Sequence, residues 1–322
     1  MLFRLRNMIL KQDKAFSFYN GGKGLDHWSY SSTSTPFAKN IINYYFPQEV
    51  RRKFPFRYPG DFGNLVNNTV QKMLADVLYT AGRERLTDWD RSYDAAYQSE
   101  LKEFHSKMPV DDKDKFGREE VLNYSESCIK ITSKAVKEII GNNKLVCERY
   151  IDHAVKNLIK KIVGRIDYET KHTFIELKSK PPKTSKVRNK DEFKMKSQDL
   201  PEEPQIEHLT QTSFYYMVTK KIPYLLYVND KGFKLFDQSH ELMKSDHLEY
   251  LYNKMIEKIL LWEKMIMFCE GDIEKLALMC EPPDMSHPFY YRDLTDDQIK
   301  LITKLWGIKW QERVLIQEIL NV

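Results

Sequence analysis

Cysteine is scarce in this chain of 322 residues: Cys128, Cys147, Cys269 and Cys280 are the only four, and none forms a CxxC pair. That spacing argues against a zinc site of the usual kind and against a disulfide scaffold. It fits a reducing, intracellular compartment. Long apolar runs are missing as well. The most apolar stretch, Ile256–Phe268, is broken by Glu257, Lys258, Glu263 and Lys264, which suits a packed helix rather than a membrane span. No secretory signal is recognisable, so a cytoplasmic protein is expected. The basic start, without an acid before Asp13, has a mitochondrial presequence as its alternative reading. A strong charge of one sign is also absent. The net charge of +5 permits a polyanionic partner without demanding one.

What is present is an ordinary globular composition, 42% apolar and 30% charged, ample for a sizeable core. Residues 1–60 read as an N-terminal extension ending in a basic and aromatic segment, in which Tyr45, Phe46, Phe54, Phe56 and Tyr58 interleave with Arg51, Arg52, Lys53 and Arg57. Such interleaving suits stacking on bases, and equally a packed corner. Residues 61–140 read as helical. A helix is expected from about Phe62 to Tyr79, where Val66, Val70, Met73 and Val77 share one face. Helices are also expected over Ala95–Lys107 and Ser125–Ile140, the latter ended by Gly141. Residues 141–238 change texture. Lys144–Tyr150, Leu158–Tyr168 and His172–Ser179 are short and rich in β-branched or aromatic residues, which predicts a strand meander. Gln205–Lys220 returns to helix, and Tyr224–Asn229 with Phe233–Phe236 predicts a hairpin around Asp230-Lys-Gly. Residues 239–322 read as long C-terminal helices packed on the core. The expectation is one continuous α/β domain with a helical N-terminal elaboration.

The chemistry concentrates in Gly164–Lys178. Glu176 and Lys178 are two apart on a predicted strand, so they share a face, while Ile175 and Leu177 turn to the other. Asp167 ends the preceding strand, where it can approach Glu176. Two carboxylates held close repel unless a cation lies between them. Hard oxygen ligands of this kind suit Mg²⁺ or Mn²⁺. Gly164 before the acid suggests a close backbone approach or a bend. Downstream, Gln211 and Tyr215 are four apart on a helix and project together.

In that order, G-x-I-D, E-x-K and Q-x-x-x-Y resemble the RecB-like branch of the PD-(D/E)XK nucleases. The resemblance covers roughly Pro55 to Phe236. It implies a restriction-endonuclease-like core, a small mixed central sheet flanked by helices. It implies a metal-dependent DNA exonuclease that hydrolyses phosphodiester bonds with a metal-activated water, in DNA repair, recombination or replication. Asp167, Glu176 and the backbone carbonyl of Leu177 would be metal ligands, and Lys178 the catalytic lysine. Gln211 and Tyr215 would position the lysine or the scissile strand. Glu148 matches an acid found in the branch at this point. The upstream G-x-x-x-H motif of the branch corresponds to Gly63–Asn67, with Asn67 in place of the histidine. The cysteines do not fit the iron–sulfur pattern of some members, so no cluster is expected. An endonuclease of the same fold is the nearest alternative. A catalytically inactive nucleic-acid-binding module, which Asn67 would favour, is the alternative of another class. A helical interaction protein with an incidental hairpin is the third.

Lys178–Lys196 is rich in lysine, with Asp191 and Glu192 its only acids and Pro181 and Pro182 near its start. It is expected to be a loop at the mouth of the site, contacting phosphates through Lys180, Lys183, Lys186, Arg188 and Lys190, with Arg165 nearby. The expected partner is DNA, single-stranded or with free ends, and no membrane.

Overall fold

The computed structural model describes residues 25–46, 57–80, 83–188 and 192–307, together with Phe16 and Arg51. In chain order these form β1 (Trp28–Ser29), α1 (Tyr30–Ser34), α2 (Phe37–Tyr45), α3 (Tyr58–Leu74), β2 (Val77–Tyr79), β3 (Arg85–Leu86), α4 (Tyr93–His105), α5 (Asp112–Val121) and α6 (Ser125–Ile140). Then come β4 (Val146–His153), β5 (Ile162–Glu169), β6 (Thr173–Ser179), β7 (Lys183–Lys186), β8 (Phe193–Lys196), α7 (Ile206–Thr219), β9 (Ile222–Val228) and β10 (Phe233–Phe236). The last elements are α8 (Ser245–Cys269), α9 (Ile273–Leu278) and α10 (Asp296–Leu305). Among the described residues no helix is long and apolar enough to cross a membrane.

The chain divides into two compact units. One comprises Met1–Phe54, Asp152–Val163 and Asn253–Val322, the other Pro55–Ile151 and Gly164–Tyr252. In the first, Trp28 is fully buried and its indole N–H donates to Glu263 at 3.0 Å. Glu263 also accepts the backbone N–H groups of Ile159 (2.7 Å) and Lys160 (2.8 Å), so this buried carboxylate is fully engaged. Trp28 and Ser29 pair in parallel with Ile162 and Val163.

The second unit is an α/β structure built on a mixed sheet in the order β10-β9-β6-β5-β4-β2-β3. β6 pairs parallel with β9, β2 parallel with β4, and β5 antiparallel with β6. Helices cover both faces. Ile175, Leu177, Leu226 and Val228 turn to one face and pack with Phe62, Leu65 and Val66 of α3 and with Ile129 and Val136 of α6. Leu225 and Tyr227 turn to the other and pack with Leu209 of α7. The strict alternation along β6 and β9 is the period-2 rule applied to a sheet buried on both sides.

Two elements differ from expectation. The first helix begins at Tyr58, because Pro59 falls in its first turn, where a missing N–H costs nothing. It ends at Leu74 rather than Tyr79. Asp76 intervenes: its N–H donates to Leu145 O and its carboxylate accepts Leu145 N–H, each at 2.8 Å. Val77 and Leu78 are thereby drawn into a ladder with Val146 and Cys147. The basic segment after Lys178 is not a loop but the antiparallel hairpin β7–β8, held because the Tyr58 hydroxyl accepts Thr184 N–H at 2.7 Å.

Candidate functional site

The site forms where β5 and β6 part. They pair at Tyr168 with Ile175 and at Glu169 with Phe174, and the next step of that register sets Asp167 opposite Glu176. There the ladder gives way to a side chain. The N–H of Leu177 donates to Asp167 Oδ2 at 2.8 Å. A residue's N–H and C=O leave a strand on the same edge, so the Leu177 carbonyl also faces β5.

Glu176 is buried at 1% exposure. Its Oε1 accepts from Lys178 Nζ at 2.7 Å, while its buried Oε2 has no hydrogen-bond partner. An unpartnered buried oxygen costs about 1–3 kcal/mol, and more when charged. Burial pushes the Glu176 carboxyl above its ordinary range, against the opposing pull of Lys178. Asp167 keeps part of its surface open, yet protein atoms crowd its carboxylate. That desolvation, with the charges of Glu176 and Glu148, drives its carboxyl well above the ordinary range, opposed by Lys178 and the Leu177 N–H. A raised carboxyl pair with one orphaned oxygen is an arrangement that a hard cation relieves.

α7 supplies the other wall. His208, Gln211 and Tyr215 recur at helical spacing along one side, and the helix stops at Lys220 in the left-handed conformation, φ 56°. Gln211 Oε1 accepts from Lys178 Nζ at 2.8 Å, and its Nε2 donates to the Tyr215 hydroxyl at 3.3 Å. The Tyr215 hydroxyl in turn accepts Arg165 N–H at 3.0 Å and donates to Arg165 O at 2.6 Å. This closeness requires Gly164: a Cβ there would lie 2.7 Å from Tyr215 Cε1 and 2.9 Å from Phe214 Cε1. Asp167, Glu176, Lys178, Gln211 and Tyr215 therefore form one connected cluster.

Glu148 lies close enough to raise both carboxyls, but both its oxygens are engaged. Gln71 Nε2 donates to Oε1 at 2.7 Å and Arg165 Nη1 to Oε2 at 3.1 Å. Its backbone is left-handed, φ 57°, a conformation costing a non-glycine residue about 1–2 kcal/mol. Asn67 is not turned freely to the carboxylates, since its Oδ1 accepts the Tyr168 hydroxyl at 2.6 Å. Gln71, one turn further along α3, reaches the site instead, donating also to Asp167 O at 3.3 Å. Sequence reasoning missed Gln71, although its i+4 spacing from Asn67 was the available signal.

It missed His208 and Tyr227 too. Tyr227 stands beside Lys178 in the β6–β9 register. Its hydroxyl accepts Gln205 N–H at 3.0 Å and lies 2.7 Å from His208 Nδ1. The hydroxyl proton then goes to Nδ1, which leaves the imidazole proton on Nε2. Burial, then the charges of Lys178 and Lys180, lower the His208 pKa to about 3, so the ring is neutral at physiological pH.

Of the residues expected to contact nucleic acid, Lys183, Lys186 and Arg188 are exposed, and Lys180 is half-buried with its Nζ 3.2 Å from Gln205 Oε1. Arg165 is exposed and paired with Glu148. Lys190 lies outside the described residues, as do Arg52, Lys53, Phe54 and Phe56.

Among the described residues no group of three or more His, Cys, Asp or Glu side chains is arranged to hold a metal. The donors that fit a cation are two carboxylates, Asp167 and Glu176, and the Leu177 carbonyl. One or two carboxylates suffice for Mg²⁺, which retains water and takes oxygens from a phosphate substrate.

No family model matches the chain, and no curated protein matches it. Among solved structures, the crystal structure of SSO0001 is similar at 17% identity over 61% of this chain and 74% of that one, with a TM-score of 0.24.

Proposed function

We propose that this chain is a metal-dependent nuclease with a PD-(D/E)XK core of the RecB-like kind, acting on DNA as an exonuclease. The observation that carries the reading is the orphaned, buried Glu176 Oε2 beside Asp167, with Lys178 held between Glu176 and Gln211. An ordinary surface hairpin would not bury a carboxylate oxygen without a partner.

Asp167, Glu176 and the Leu177 carbonyl would hold Mg²⁺ or Mn²⁺. Such an ion, when bound, polarises a phosphodiester and lowers the pKa of water. Lys178 supplies a fixed positive charge against the negative charge that develops on the phosphate. Gln211 orients that lysine, and Tyr215 ties Gln211 to the backbone of β5. No iron–sulfur cluster belongs to this reading. The exonuclease preference rests on the sequence resemblance.

The test is a time course on end-labelled linear, circular and single-stranded DNA with Mg²⁺, Mn²⁺ or EDTA. Linear and single-stranded DNA should shorten from an end with either ion, circular duplex should persist, and EDTA should stop the reaction. Nicking of the circle would make the enzyme an endonuclease of the same chemistry. Absence of cleavage with either ion would refute the nuclease reading.

A further inference from the structure

The hairpin β7–β8 has two unlike faces. Its register pairs Lys183 with Lys196, Thr184 with Met195, Ser185 with Lys194 and Lys186 with Phe193. Alternation puts Thr184, Lys186, Phe193 and Met195 on one side and Lys183, Ser185, Lys194 and Lys196 on the other.

The first side is fastened to the unit. Thr184 N–H and Oγ1 both donate to the Tyr58 hydroxyl, at 2.7 and 3.1 Å, and that hydroxyl donates to Pro182 O at 3.0 Å. Phe193 lies 5.8 Å from the Phe116 ring. Tyr58 is itself seated over Gly117, where a Cβ would collide with its ring. An isolated two-stranded hairpin is marginal in water, so this anchoring is what orders it.

The second side is different. Lys183, Lys194 and Lys196 are all exposed. Lys183 and Lys196 stand directly opposite each other, an arrangement of like charges that destabilises a strand pair. Among the described residues no carboxylate pairs with any of the three. The face carries no ring, amide or guanidinium with the fixed geometry that favours base readout, only three flexible point charges and a serine, a set suited to phosphates. It follows Lys178 directly in the chain, through Ser179–Pro182.

We propose that this face is a phosphate clamp: Lys183, Lys194 and Lys196 hold the backbone of a nucleic acid, without reading its sequence, beside the site at Asp167 and Glu176. The proposal rests on the nuclease reading above and refines its substrate contacts. It adds Lys194 and Lys196 to the interface and takes Lys186 off this face. An anchored ribbon with a repulsive outer face gives up stability until a polyanion covers it, which is the signature of a binding surface rather than a solvated one.

The test measures binding of the full chain to a fluorescent DNA duplex in EDTA over a range of salt. Each phosphate contact contributes a slope of about 0.9 in log K against log salt on duplex DNA. The triple substitution K183S/K194S/K196S should lower that slope by about 2–3, equally on two duplexes of unrelated sequence. It should leave the melting temperature equal or higher, since a cross-strand repulsion is removed. The charge-matched control K130S/K134S/K137S changes exposed lysines of α6 and should leave the slope as it is. An unchanged slope in the ribbon variant, or an equal drop in the control, would overturn the clamp while the nuclease reading stands. A wild-type chain that shows no salt-dependent binding would also overturn the clamp, whereas the nuclease reading is decided by cleavage with Mg²⁺ or Mn²⁺.

Discussion

Lys178 Nζ lies 2.8 Å from Gln211 Oε1 and 2.7 Å from Glu176 Oε1, so one ammonium joins the strand that carries the acid to the helix that flanks it. The lysine has many rotamers, and Gln211 removes most of that freedom. Under the proposed nuclease reading, Gln211→Ala should therefore lower kcat by about 10–100-fold, the usual cost of losing a group that orients a working side chain. KM should move little, and the melting temperature should stay near that of the wild type. Steady-state cleavage rates with thermal unfolding decide the matter; a loss confined to KM would show that Gln211 acts on substrate binding instead.

Glu176 and Asp167 are both held above their ordinary carboxyl range in the folded chain. The folded state therefore binds more protons than the unfolded one between the ordinary carboxyl value and the raised one. Stability from this pair is then greatest at acid pH, below the unfolded value, and is lost as pH rises through the folded value. Glu176→Gln removes one of the two charges. It should raise the melting temperature at pH 8 in EDTA, and the gain should shrink toward pH 4. Mg²⁺ or Mn²⁺ should stabilise the wild type and have less effect on the variant. A variant less stable than the wild type at pH 8 would contradict the account of a strained carboxylate pair.

Gly164 gives way to the rings of Tyr215 and Phe214. Both rings are buried, so neither can swing aside. Gly164→Ala should cost about 1–3 kcal/mol of stability, the usual price of overpacking, and should disturb the bonds between Tyr215 and Arg165. Gly232→Ala, where a Cβ meets nothing, should stay within about 0.5 kcal/mol. Urea titrations of the two variants make the comparison. Equal stability of both would mean that the close approach at Gly164 is not needed.

These residues also mark what is legible in the sequence. Period-2 spacing alone puts Glu176 and Lys178 on one face of β6, and i, i+4 spacing puts Gln211 with Tyr215 on α7. The β9–β10 hairpin is legible from Asp230-Lys-Gly. What escapes is decided by partners far away in the chain. Val77 continues the helical spacing of Val66, Val70 and Met73, yet the bonds of Asp76 to Leu145 make it a strand. Phe193-Lys-Met-Lys196 alternates like a strand, but Pro181 and Pro182 at the start of the segment point to a loop, and the order of the ribbon comes from Tyr58. Gln71 and Glu148 meet only because α3 crosses β4 and β5 at that level.

The most direct measurement is DNA cleavage in Mg²⁺ by the wild type, Asp167→Ala and Lys178→Ala, with circular dichroism to establish that each is folded. The account predicts degradation by the wild type that EDTA stops, and a loss of at least about 1,000-fold in each folded variant, the scale on which a catalytic electrostatic group acts. Folded variants that degrade DNA as fast as the wild type would contradict it.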